Sequence, residues 1–331
     1  MGRYLLRRLA TYAVLTVVAA SLAYLVAAGS LRPRDAVRNH TGGTPAAVEA
    51  ELARLNLHDD VPLPERYLTW ASGVVRGDFG ETVQGEPVTG ELWRRLGVSL
   101  RLLSAGSVLG FAGGVALGVY AAARRGHTPD RVIGGGAFAL LAVPVFVLAV
   151  FLQLGAARLN EMTGLQLVEW VGESSPGAAD GTFGALGGFG DRIRHLLLPT
   201  LAVALAQLAV YCRYQRATML DVLGADYVRT ARAKGLRRRH ALLRHGLRTA
   251  VVPLTTYFAY TAGLVLLTGM FVEKIFGWHG LGEWVVDSIT RGDVNVVAAA
   301  NCVAAVAVLL AGLFSDVLRA VLDPRVRVHP R

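Results

Sequence analysis

Long apolar runs alternate with polar stretches along this chain, and they set its architecture. Six runs approach or exceed the roughly 20 residues that a helix needs to cross a hydrocarbon layer about 30 Å thick. They cover residues 9–28, 98–121, 132–155, 196–216, 251–273 and 295–318. Each is continuous in its apolar character, with no period-two alternation. The pattern therefore predicts helices rather than a closed barrel, the two structures that satisfy a backbone inside lipid. The first run follows Arg3, Arg7 and Arg8. Its 20 residues exceed an ordinary signal core and five more runs follow, so it is read as a retained first span.

Between the first two runs lie 69 residues with a pattern of their own. Thr44 and Pro45 open TPAAVEAELARLNL, an N-cap followed by a first-turn proline. The segment VPLP (61–64) breaks the chain, ERYLTW (65–70) reads as a short helix, and GDFG (77–80) as a turn. The expected organisation is residues 1–28 as N-terminal segment and first span, 29–97 as a small external subdomain, and 98–331 as the core. The loop between the third and fourth runs, 156–195, is rich in Gly and Ser and reads as irregular. Pro144 and Pro199 kink or cap helices, and Pro253 opens the fifth run.

Charge adds orientation. The net charge is +10 and mean hydropathy is +0.44. The end of the fourth run and the loop that follows it, residues 213–248, carry ten basic residues, among them Arg213, Arg216, Arg237 and Arg248. With the N-terminus, the loop holding Arg124, Arg125 and Arg131, and the C-terminal tail, this stretch falls on one side of a six-span topology. The positive-inside bias makes that side, with both termini, cytoplasmic. The same bias explains the basic balance better than a nucleic-acid partner does. Cys212 and Cys302 lie within apolar runs and offer no disulfide framework or metal-ligand spacing. No metal site is expected. A G-x-x-x-x-G-K-[ST] phosphate loop is absent, so the chain is not expected to bind ATP through one. HExxH and G-x-S-x-G motifs are absent near the spans, which argues against an intramembrane hydrolase.

One stretch of the basic loop is built differently from its surroundings. In GADYVRTARAKGL (224–236), Asp226 is placed as an N-cap and Gly235 as the left-handed residue that closes a helix. Thr230, Ala231 and Ala233 are small and permit close approach. Arg229 and Lys234 offer charge-assisted hydrogen bonds. A second helix over 237–250 follows, with Leu242, Leu243 and Leu247 at helical spacing. On physical grounds alone, a docking element and an ordinary topology-setting loop remain equally open. Within the spans, Gln153, Gln207, Thr255, Thr256, Tyr257, Tyr260, Thr261 and Asn301 are candidate path-lining groups, because polar groups in lipid are costly. Ordinary interhelical hydrogen bonding is the competing reading. Glu273 and Lys274, at the end of the fifth run, are a candidate external gate or an interfacial anchor.

DYVRTARAKGLRRRHALLRHGLRTAVVP resembles the signature loop of the permeases of binding-protein-dependent ABC importers, in the dipeptide, oligopeptide and nickel branch. RYLLRRL (3–9), LNLHDDVPLPERYLTW, GDFGET (77–82), GVALGVYAAARRG (114–126), HLLLPTLAVAL (195–205), FVEKIFGWHGLG (271–282) and LDPRVR (322–327) are similar to further family signatures, so the resemblance covers nearly the whole chain. It departs at GSLRPRDAV (29–37), at Arg95-Leu96-Gly97 and at Val143-Pro144-Val145-Phe146, where the family has other residues. The resemblance implies an all-α type I permease fold of six transmembrane helices in the cytoplasmic membrane. It implies that Asp226, Tyr227, Arg229, Thr230, Ala231, Ala233, Lys234 and Gly235, within a coupling loop over 217–250, dock in a cleft of a separate ATPase. The implied partners are a second homologous permease, two ATPase subunits or domains holding ATP and Mg, and an extracytoplasmic binding protein. The implied cargo is a peptide, moved by alternating access. A nickel chelate or glutathione is the alternative within the family; a secondary transporter, a channel or a membrane-anchored recruiter is the alternative outside it.

Overall fold

The structure is a computed structural model, and it describes residues 2–41, 43–175, 184–235 and 246–322. Among them it is helical, with one isolated bridge between Glu81 and Pro87. Thirteen helices are described: α1 (Gly2–Ser30), α2 (Pro33–Thr41), α3 (Pro45–Arg54), α4 (Leu63–Val75), α5 (Val88–Ala123), α6 (Thr128–Ala142) and α7 (Val145–Thr163). They continue with α8 (Gly184–Leu223), α9 (Asp226–Ala233), α10 (Leu247–Thr268), α11 (Met270–Phe276), α12 (Leu281–Arg291) and α13 (Val294–Leu322). Six are long and apolar enough to cross a membrane: α1, α5, α7, α8, α10 and α13.

The third run departs from its expectation. A single helix over 132–155 is replaced by α6 and α7, parted at Val143 and Pro144. Val143 is extended at φ −98° and ψ 120°, and Pro144 caps α7. A proline pushes the residue before it out of the helical region, which is what breaks the run here. Pro199 and Pro253 instead lie inside α8 and α10. Pro253 therefore does not open the fifth helix, which begins at Leu247. The fifth run also ends early: α10 stops at Thr268 and Gly269 separates it from α11. Glu273 and Lys274 thus sit on a short separate helix. The loop over 156–195 is shorter than expected, since α7 runs to Thr163 and α8 starts at Gly184. The helix expected over 237–250 lies mostly outside the described residues, and its last part belongs to α10.

The chain divides into two compact units. One comprises Met1–Leu100, Leu266–Lys274 and Trp278–Leu313. Its core joins Tyr24 and Ala27 of α1 to Val48, Leu52, Trp70 and Leu92, and to Trp284 and Val294–Ala300. Thr44 occupies the N-cap of α3 with Pro45 at its first turn, as the sequence indicates, although its hydroxyl makes no cap bond. Helices α2 and α12 were not foreseen. The hairpin around the Glu81–Pro87 bridge is tied down by α13: Asn295 Nδ2 donates to Glu81 O at 2.9 Å, and Asp293 Oδ2 accepts from Val83 N at 2.9 Å. Burial pushes the Asp293 carboxyl above its ordinary value.

The other unit comprises Arg101–Val265, Ile275–Gly277 and Phe314–Arg331. Its organising contact is a column of glycines on α5. Gly106, Gly110, Gly114 and Gly118 recur every four residues, one face of a helix, and meet α8. A Cβ on Gly114 would lie 2.6 Å from Tyr211 Cβ, and one on Gly118 2.6 Å from Cys212 O. Small residues let two membrane helices approach closely where no hydrophobic effect drives them together. Cys212 and Cys302 are both free and buried, where a thiol packs as a small apolar residue.

Candidate functional site

Helix α9 is eight residues long, about 12 Å at 1.5 Å per residue. It begins one residue earlier than the capping argument required. Ala225, whose carbonyl accepts from Val228 N and Arg229 N, holds the cap position, and Asp226 is the first helical residue. The Asp226 carboxylate instead favours the positive end of the helix and pairs with Arg229 at 3.6 Å. Thr230 Oγ1 bonds back to Asp226 O. At the other end Gly235 adopts φ +89°, the left-handed geometry that closes a helix. Val228, 2% exposed, is the inward anchor. Tyr227, Arg229, Thr230, Ala233, Lys234 and Gly235 are exposed, so the described face is small, basic and open. Ala231 lies within the helix between them.

The polar groups of the spans are placed individually. Gln153 Nε2 donates to Ile275 O at 3.0 Å, and Gln207 Nε2 to Ser107 Oγ at 3.2 Å. Thr256 is buried, its hydroxyl held by the carbonyls of Val252 and Pro253, and Thr255 bonds Val252 O likewise. Asn301 Nδ2 returns to Val297 O on its own helix. Thr261 Oγ1 lies 2.7 Å from Tyr211 Oη. Tyr257 stacks on Tyr214 with centroids 5.6 Å apart and planes 4° from parallel. Tyr214, Tyr257 and Tyr260 are all exposed, whereas Tyr211 is buried against Phe111 and Phe258. The structure thus brings Tyr257 and Thr261 together with Tyr211 and Tyr214. The latter two lie three residues apart on α8, a helical spacing that could have drawn attention to them.

Two further groups escaped the sequence reading. Asp130, at the start of α6, is buried and takes a two-pronged bond from Arg216, Nε at 2.6 Å and Nη2 at 2.9 Å. It also accepts from Gly126 N at 2.9 Å. The Arg216 guanidinium and the Gly126 amide hold its carboxyl down at about 2. Gln215, next to Arg216 in the chain, is fully buried, and neither its amide oxygen nor its nitrogen has a hydrogen-bond partner among the described residues. An i-to-i+86 pairing leaves no local trace in a sequence.

Glu273 is 1% exposed. Its Oε2 accepts from Gly282 N at 2.8 Å and Glu283 N at 3.2 Å, the first free amides of α12. A negative charge at a helix N-terminus is stabilised there. Gly280 leaves room for it, since a Cβ there would run into Glu273 Oε2, while a Cβ on Gly282 would run into Met270 and come within 3.1 Å of the same oxygen. Lys274 Nζ pairs with Asp287 Oδ1 at 2.6 Å. Among the described residues no group of His, Cys, Asp and Glu is arranged to hold a metal.

Residues 114–328 match the family described as binding-protein-dependent transport system inner membrane component. The oligopeptide transport system permease protein OppB of Mycobacterium tuberculosis is 50% identical over 329 residues, covering 99% of this chain and all of the relative. The putative peptide permease protein of Brucella ovis is 33% identical over 304 residues, 90% of this chain and 91% of its own. The dipeptide transport system permease protein DppB of Escherichia coli is 33% identical over 286 residues, 83% and 84% of the two chains. With six helices fit to cross a bilayer, this chain is a multi-pass membrane protein and belongs to the family of inner-membrane components of binding-protein-dependent transport systems.

Proposed function

We propose that the chain is the permease subunit of an ATP-driven importer for di- and oligopeptides, working by alternating access. The observation that carries this reading is α9. It is a short helix closed by a left-handed glycine, anchored by Val228 and open on a small, basic face. A helix so built transmits a rigid-body push from a partner that grips it. The partner is a cytoplasmic ATPase, present as two subunits or domains, which carry the ATP and Mg that this chain lacks the motif to hold. ATP shifts the inward–outward equilibrium through its different affinity for the two states. A second homologous permease completes the pathway, and an extracytoplasmic binding protein delivers the solute. The positive-inside bias of the basic loops supports cytoplasmic termini. The relatives named for oligopeptide, peptide and dipeptide transport favour peptide as the cargo over a nickel chelate or glutathione. In this reading Tyr257, Tyr260 and Thr261 line the path with Gln153, Gln207, Thr256 and Asn301, while Glu273 and Lys274 belong to the outer mouth.

The test is purification of the tagged chain from its host in mild detergent, with mass spectrometry of what accompanies it. Stoichiometric ATPase subunits and a second six-span permease are the expected result. Ala231→Trp and Gly235→Pro, which crowd or unwind α9, should release the ATPase and abolish peptide uptake without loss of membrane insertion. Uptake that survives both changes would return α9 to a topology-setting loop. A homo-oligomer free of ATPase would point to a secondary carrier or channel.

A further inference from the structure

Helix α4 is joined to α1 within the stretch of α1 that is long and apolar enough to cross a membrane. Ser21 Oγ lies 2.6 Å from Tyr67 Oη, and Tyr24 stacks on Trp70 with centroids 4.7 Å apart. The candidate span of α1 is Leu6–Ser30, 25 residues. A hydrocarbon layer takes about 20 of them. A window of that length placed anywhere between Leu6 and Ser30 includes both Ser21 and Tyr24. Their partners on α4 therefore lie at or just inside the edge of the apolar layer, on the side where α1 ends.

The side chains of α4 agree. Tyr67, Trp70, Ala71 and Val74, at helical spacing, form the stripe packed into the core with α1. Leu68 and Val75 stand on the adjoining flank and are 65% and 89% exposed. At about 100° per residue, Arg66 lies about 200° from Leu68, on the opposite flank. That flank is turned toward the rest of the 33–92 region: Arg66 Nη1 donates to Leu57 O, Asn56 Nδ2 donates to Arg66 O, and Asp78 N donates to Gly73 O. The polar body thus covers one flank of α4, and the apolar flank faces away from it.

We infer that α4 lies in the membrane interface, with Leu68 and Val75 set among lipid acyl chains beside the end of α1. The occupant of this flank is lipid because α4 is packed through Tyr67 and Trp70 on α1, a span whose own exposed side chains there, Leu22 and Val26, are apolar. A helix with one apolar face and one polar face lies at this boundary, and Tyr67 and Trp70 are the residue types that populate it. The 33–92 region would be seated on the bilayer by α4 as well as tethered at its two ends.

The test is site-directed spin labelling of the full chain in lipid nanodiscs, with the subunits that co-purify. Leu68→Cys and Val75→Cys are compared with Asp60→Cys, whose side chain is almost fully exposed. The background is Cys212→Ala with Cys302→Ala. If that pair fails to fold, the native background serves, because both thiols are buried. Labels at 68 and 75 should collide with oxygen several-fold more often than with a water-soluble nickel chelate, and the label at 60 should show the reverse. Chelate access at 68 and 75 equal to that at 60 would overturn the inference in favour of a solvated subdomain. Labels there shielded from both reagents would overturn it in favour of a protein partner.

Discussion

The corner at Glu273 and the helix α9 are both short, charged and glycine-bounded, yet they spend their polar groups in opposite ways. At the corner the carboxylate is buried and answered by two backbone amides, with Gly280 leaving it room and Gly282 clearing Met270. On α9 Val228 is buried while Tyr227, Arg229 and, just past its end, Lys234 remain in solvent. A buried carboxyl whose hydrogen bonds are met holds architecture, because removing either side leaves an uncompensated group. Exposed charge on a capped helix contributes almost nothing to stability and remains free for a partner. The difference teaches that glycine-rich signatures in one chain can serve two ends, internal fit and external recognition.

The comparison can be broken by measuring stability and coupling separately. The largest stability loss should come from Gly114→Leu, which drives a side chain into Tyr211 and the α8 backbone. Overpacking typically costs about 1–3 kcal/mol, and a clash with backbone puts this change at the upper end, about 3 kcal/mol, seen as loss of monodisperse protein in detergent. Gly134→Leu, with nothing within 4 Å of its Cβ position, should be silent.

Asp130→Ala should follow. Breaking a buried pair costs about 3–5 kcal/mol, and since the Arg216 side chain is 34% exposed the expected loss is smaller, about 2–3 kcal/mol. The pH dependence has a definite sign. The Asp130 carboxyl is lowered in the fold from 3.8 to about 2, so its stabilisation is present above pH 4 and lost as pH falls toward 2. Thermal melts should decline more steeply through that window in the wild type than in Asp130→Asn.

Glu273→Ala leaves two buried amides unanswered and should cost about 2 kcal/mol, within the usual range for such groups. Glu273→Gln keeps an acceptor and should recover most of the loss. The smallest stability effect belongs to Arg229→Ala, below about 0.5 kcal/mol, with an unchanged melting curve. If Arg229→Ala destabilised the chain as much as Glu273→Ala, the distinction between the two regions would collapse. If it lowered peptide-stimulated ATP hydrolysis while the melt stayed put, the distinction would be sharpened.

Sequence by itself determined the six apolar spans, the helices α3, α4 and α9, and the closing role of Gly235. These rest on composition, helical period and cap chemistry, which are local. Tertiary structure alone decided the break at Pro144, since Pro199 and Pro253 stand inside unbroken helices and a proline does not announce which outcome it takes. It also decided that Glu273 leaves the fifth helix to cap α12, that Asp130 meets Arg216 across 86 residues, and that Tyr211 and Tyr214 join Tyr257 and Thr261. Each depends on a contact between segments distant in the chain. Side-chain period records which face of a helix is apolar, but the neighbour that covers that face is chosen only when the helices pack.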